Sequence, residues 1–149
     1  MAKVSKQLPK SMIKGNGLSI QKLLSVTDTL RKRGARNVII KGFKWLMTKN
    51  GLIVAKAVIT SETRRGQLTH ETWVTFLTDK TRQSIAPKSK VMVQCSCEDY
   101  TYTWEYANAE YGAARIFYCN GEPPDEKNPK HSPGLCKHAY RLCETLILT

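Results

Sequence analysis

Two short pairs of soft side chains restrict this chain more than anything else in it: Cys95-Ser96-Cys97 and, across a 38-residue spacer, Cys136-Lys137-His138. Three thiolates and one imidazole suit zinc, which in structural sites takes four protein ligands in a tetrahedron and keeps no position for a substrate. The pattern predicts one structural Zn2+ site at Cys95, Cys97, Cys136 and His138, in a fold that brings the two distant pairs together. Alternate residues of a strand share a face, so Cys-x-Cys can chelate if the backbone turns after the first sulfur. In a regular helix residues i and i+2 stand about 200° apart. Cys136 and His138 can therefore reach one ion only if Cys136 precedes the regular helix and His138 swings back over its first turn. A helix N-terminus there would also favour the thiolate form of Cys136.

The other candidate ligands are Cys119 and His131, both inside the spacer, and either could replace a member of the set. Cys119 follows Ile116-Phe117-Tyr118 and reads as a buried thiol, whereas His131, between Pro129 and Pro133, reads as a solvated histidine. Cys143 falls on the apolar side of the last helix and reads as core. Five cysteines cannot all pair within one chain, and thiolate ligation fits a reducing compartment, so the cytoplasm of the producing cell is the expected location. No apolar run approaches the roughly 18 to 20 residues needed to span a membrane.

The 149 residues fit one domain plus a tail, and a hydrophobic fraction of 41% supports a modest core. Residues 1–16 are polar, basic and broken by Pro9 and Gly15, and read as an extended arm, with a single α+β domain at 17–149. Ser19 to Arg33 carries Ile20, Leu23, Leu24, Thr27 and Leu30 on one face, which predicts a helix capped by Ser19, ended by Gly34 and basic in its last turn. Strands are predicted at 37–49, 52–60, about 70–77 and 90–97, the first two joined at Asn50-Gly51, with loops at 61–67 and 78–88. Tyr100, Trp104, Ala107, Tyr111 and Ala114 recur at helical spacing, so 103–115 should be a helix with a packed aromatic face. Glu98 and Asp99 would cap it, Asn120 to Ser132 would be a loop, and Ser132-Pro133 would open a final helix ending near Ile147. The sum is a four-stranded, mainly antiparallel sheet with an N-terminal helix and a zinc-stapled strand-helix-helix module at about 91–145.

Cys95-x-Cys97…Cys136-x-His138, on a strand-rich segment followed by a helix, resembles a SWIM-type zinc finger. The resemblance spans about a third of the chain, and the spacer is longer than the compact form of the motif has. It implies ligands at Cys95, Cys97, Cys136 and His138 and a role in binding DNA or proteins within larger assemblies. A short chain of this kind also looks like the small SWIM-type proteins of tailed bacteriophages, which implies a virion structural component of the tail, neck or baseplate.

Charge separates the ends of the chain. Residues 1–50 carry twelve Lys and Arg against the single acid Asp28, whereas residues 91–149 carry five against eight acids. A polyanion would be gripped in the basic half, with Lys3, Lys6, Lys10, Lys14, Arg31, Lys32, Arg33 and Arg36 as candidate contacts for nucleic acid or a protein partner. No Gly-rich phosphate loop, HExxH or supported nucleophile arrangement occurs, so the expectation is a non-enzymatic zinc-binding interaction protein of a larger assembly, without a small-molecule substrate. A nucleic-acid-binding regulator is the alternative.

Overall fold

The computed structural model describes residues 8–63, 66–115 and 123–148. Its centre is an antiparallel five-stranded sheet in the order β1-β5-β4-β3-β2. The strands are β1 (Leu18–Ser19), β2 (Val38–Met47), β3 (Ile53–Thr63), β4 (Gly66–Phe76) and β5 (Lys90–Cys95). Helices α1 (Ile20–Val26) and α2 (Thr29–Ala35) follow β1, a π-turn at Tyr100–Trp104 leads into α3 (Glu105–Ala109), and α4 (Lys137–Leu148) closes the chain.

Period-2 alternation places one apolar row of each long strand on the same face. Ala55, Ala57 and Ile59 of β3, Val74 and Phe76 of β4, and Val91, Val93 and Cys95 of β5 are fully buried there. Ile20 and Leu23 of α1 and Ala139, Leu142 and Cys143 of α4 belong to the same core, so Cys143 is a core thiol. Burial pushes its pKa up to about 12.

The expected α+β class holds, with differences in detail that have local causes. A fifth strand, only two residues long, pairs Leu18 with Val91 and Ser19 with Lys90. The single N-terminal helix is two. Ser19 caps α1 through Lys22 N–H (3.0 Å), and Asp28, whose carboxylate accepts Arg31 N–H (2.9 Å), starts α2 anew. Between them the Thr27 hydroxyl donates to the Leu23 carbonyl (2.7 Å). Gly34 does not end α2; a Cβ there would lie 3.3 Å from the side chain of Lys137, so the glycine lets α2 approach α4. The polar segment expected as a loop at 61–67 mostly continues the β3-β4 ladder, where Ser61 pairs with Leu68 and Glu62 with Gln67. The aromatic helix is shorter than expected, since α3 gives way to a turn in which Gly112 has φ +71°. The last helix starts at Lys137 and not at Pro133.

The described part of the N-terminal arm is held by the chain itself. Lys14 N–H donates to the Glu110 carbonyl, Gly17 N–H donates to the Tyr111 carbonyl (2.9 Å), and Leu8 packs with Tyr106, Ala109 and Ala114. At this crossing a Cβ on Gly112 would meet the Gly15 carbonyl oxygen at 2.4 Å, whereas one on Gly51, also at positive φ, would meet nothing within 4 Å. Gly112→Ala should therefore destabilise the chain by about 2–4 kcal/mol and Gly51→Ala by about 1–2, since only the first adds a backbone collision to left-handed strain. Urea unfolding of the two variants checks the ranking.

Candidate metal centre

The end of β5 supplies the first pair. Cys95 points into the core, and its sulfur accepts the Thr72 hydroxyl at 3.3 Å. Ser96 still belongs to the sheet edge, its N–H donating to the Glu71 carbonyl (3.0 Å) and its Oγ accepting Glu71 N–H (3.1 Å). Immediately afterwards the backbone turns: the carbonyl of Cys97 accepts Thr101 N–H (3.1 Å) and its sulfur faces Tyr100 N–H at 3.4 Å. A strand that becomes a helical turn within two residues is what brings both sulfurs to one point.

The second pair is set by an extended segment clamped before α4. Asn108 accepts Gly134 N–H (3.0 Å) and donates to the Gly134 carbonyl (2.8 Å) and the Tyr100 hydroxyl (2.9 Å). Leu135 N–H donates to Thr27 Oγ1 (3.1 Å), and a Cβ on Gly134 would enter the Trp104 ring at 2.6 Å. Asn128 holds the preceding stretch through Ser132 and the Thr103 carbonyl. Cys136 therefore sits just ahead of the helix, its sulfur facing Ala139 N–H (3.4 Å), and His138 lies in the first turn.

The ligand atoms of Cys95, Cys97, Cys136 and His138 all lie within 4.8 Å of one another, and all four residues are buried with their thiols free. Sulfurs bound to one tetrahedral zinc at about 2.3 Å would stand about 3.8 Å apart, so a small inward shift closes the set on an ion. The protonation pattern fits a cationic occupant. Burial opposes a thiolate at Cys95, but hydrogen bonds involving Cys136, Cys97 and Thr72 outweigh it and hold Cys95 well below the ordinary thiol range. Burial and then the neighbouring Cys95 push Cys136 well above that range. Without a cation the pocket stabilises one negative sulfur at the expense of the next. His138 fits as well. Its Nε2 lies 3.4 Å from Ser61 Oγ, whereas its buried Nδ1 has no hydrogen-bond partner among the described residues. Ser61 can thus orient the ring while Nδ1 serves as the ligand atom.

Surrounding groups tie this centre to α2. Arg31 forms a two-bonded ion pair with Asp99 (2.6 and 3.1 Å), bonds Asp28 as well, and lies 5.1 Å over the Trp104 ring. Asp99, with help from Asp28, raises the Arg31 pKa against the effect of burial. Asp99 thus serves an ion pair, not the helix cap expected of it. His70 packs 5.0 Å from the His138 ring and faces Ser96 Oγ at 3.3 Å; burial and the nearby His138 lower its pKa.

Of the other candidates, His131 is not a solvated histidine. Its Nδ1 meets Glu110 (2.7 Å), its Nε2 lies 3.6 Å from Asp125, and its ring stands edge-on to Tyr106. Cys119, Lys3 and Lys6 lie outside the described residues. Arg31 is committed within the chain and Lys14, though exposed, pairs with Glu110 at 3.9 Å, while Lys10, Arg33 and Arg36 are exposed and Lys32 is half-buried. Sequence reading missed Asn108, Thr72, Ser61 and Thr27, because a polar residue that faces a core is legible only once its partners are placed. In comparison with known proteins, no family model, curated protein or solved structure matches the chain.

Asn108→Ala should cost about 1–3 kcal/mol, since it strands the buried N–H and carbonyl of Gly134. Chemical denaturation of the metal-loaded protein measures the loss. Metal affinity should fall in the same variant because Cys136 loses its clamp.

Proposed function

We propose that this chain is a non-enzymatic interaction protein whose fold is stapled by one structural Zn2+ held by Cys95, Cys97, Cys136 and His138. The observation that carries the reading is the closed donor set: three sulfurs and one unpartnered imidazole nitrogen, all buried and all within 4.8 Å. A catalytic zinc site keeps three protein ligands and an open position, whereas four protein ligands complete the tetrahedron. Bound zinc would offset the repulsion among three thiolates and tie the end of β5 to the start of α4. Apparent stabilisation by such sites is about 10–16 kcal/mol, as large as the net stability of a typical domain, about 5–15 kcal/mol.

The work left to the rest of the molecule is binding. The ligand order and the following helix support a SWIM-like module in a larger assembly, and resemblance alone extends this to a phage tail, neck or baseplate. The alternative, a nucleic-acid ligand, draws on exposed Lys10, Lys14, Arg33 and Arg36. It requires an affinity for duplex DNA that falls with salt at a log-log slope near −0.9 per phosphate contacted.

The purified chain should contain one zinc per molecule by elemental analysis. Its cobalt form should show intense tetrahedral ligand-field bands with sulfur-to-cobalt charge transfer. Octahedral cobalt spectra, or substoichiometric metal in freshly prepared protein, would sink the proposal. Affinity should drop as pH falls from 7 to 5, because protons compete for three thiolates and an imidazole. Metal-titration curves at each pH test the sign. Cys136→Ser and His138→Ala should each weaken binding strongly, and chelation should expose the β5-α4 region to hydrogen exchange before the β2-β3 hairpin.

A further inference from the structure

The strand at the end of the sheet farthest from β1 carries an unusual load. Among the described residues β2 hydrogen-bonds to β3 alone, so its outer edge presents unpaired backbone groups. Ile39, Phe43, Leu46 and Met47 on this strand are 53%, 42%, 40% and 68% exposed. They make up four of the ten large hydrophobic side chains exposed among the described residues. Protective devices are present but partial: a bulge between Ile40 and Gly42, and exposed Lys41 and Lys44.

The surroundings of β2 are cationic. From Asn37 to Thr60 the sequence holds Lys41, Lys44, Lys49 and Lys56 and no acid, Lys56 being paired with Glu71 of β4 at 3.6 Å. Beside the hairpin end a cleft of about 400 Å³ has Trp45, Leu46, Met47 and Ile53 as its apolar part and Lys80 and Arg82 as its basic part, with the Arg82 guanidinium 5.6 Å over the Trp45 ring. An added strand places alternate side chains above and below the sheet. One row would therefore meet Phe43, Trp45 and this cleft, the other Lys44 and Leu46.

We propose that the free edge of β2 is the docking site for an extended acidic segment of a partner protein, which adds an antiparallel strand and alternates apolar with carboxylate side chains. The inference rests on the reading of the chain as an interaction protein and names the class of partner. Charge decides the occupant. A second copy of this chain would bring Lys41 and Lys44 against their own counterparts, which is unfavourable across a strand pair. Duplex DNA would match the lysines but leave Phe43, Leu46 and Met47 uncovered and the edge amides unpaired. An acidic strand satisfies all three demands: backbone pairing, apolar cover and opposite charge.

The test uses the zinc-loaded full chain and a fluorescent ten-residue peptide alternating Glu with Val, against a Lys-for-Glu peptide and a version with proline at alternate positions. The acidic peptide should bind saturably with Kd below about 100 µM, more weakly at high salt, and should slow amide exchange at residues 39–47. The two control peptides should not bind. Lys41→Glu with Lys44→Glu should weaken the acidic peptide about tenfold or more and admit the lysine peptide, since close charge pairs set partner choice. Met47→Ser, which removes apolar cover without changing charge, should weaken the acidic peptide. No saturation by about 1 mM, equal binding of the two charged peptides, or protection away from β2 would overturn the proposal. So would a concentration-dependent dimer of the free chain abolished by Met47→Lys, or duplex DNA that protects β2 where the peptide does not. Zinc content and urea stability of the same samples report separately on the metal-stapled reading, so loss of one proposal is distinguishable from loss of the other.

Discussion

Three buried thiols and one imidazole cannot share a few ångströms in their metal-binding protonation state without a cation among them. Most of the C-terminal half is arranged around that constraint. In the absence of positive charge, Cys95 and Cys136 are driven in opposite directions, one towards thiolate and the other towards thiol. Burial is what makes the conflict sharp, because solvent that would screen the sulfurs is excluded. The same burial makes the site selective in its protonation: a divalent ion that satisfies all four groups gains their full attraction.

The scaffold fixes this arrangement through its own hydrogen bonds. Asn108 fixes the peptide of Gly134 on both its N–H and its carbonyl side, and Thr27 takes the next N–H, so the approach to Cys136 is set by buried neutral hydrogen bonds. Glu105 is likewise buried and accepts from Gln94 (2.7 Å), linking α3 to β5. The Arg31–Asp99 pair adds an electrostatic tie from α2 to the turn after Cys97. Side-chain exposures of 25% and 37% mean solvent screens that tie, so its main effect is orientation and not stability. Buried hydrogen bonds thus set the approach to Cys136, while the Arg31–Asp99 pair at the margin orients α2.

Much of this plan was legible in the sequence where local chemistry decides. Ser19 as a cap, Asn50-Gly51 as a turn and alternation along β4 and β5 each depend on residues within a few positions. The need for Cys136 to precede its helix also followed from helical geometry alone, and α4 indeed begins at Lys137. What escaped reading depends on distant partners. Ser61 belongs to a polar stretch with no hydrophobic period, yet it is buried because it faces His138. Gly34 reads as a helix stop until Lys137 is known to lie against it. Asp28 was the lone acid in a basic segment, and its capping of α2 split what periodicity alone made one helix.

The charge map and the fold set the candidate ligands apart from the exposed edge of β2 in charge. The four candidate ligands lie in the β5-α3-α4 part, whose acids Asp99, Glu105 and Glu110 are bonded to Arg31, Gln94 and His131. The long β2-β3 hairpin, free of acid from Asn37 to Thr60, meets the centre only near its open end, where Ser61 Oγ lies 3.4 Å from His138 Nε2. The core face of the sheet couples the two ends mechanically, since β3, β4 and β5 share one continuous apolar row from Ile53 to Cys95. Because α4, which carries His138, packs directly on β2 as well as on β4 and β5, a change at the candidate metal centre would reach β2 through α4 as well as through the sheet.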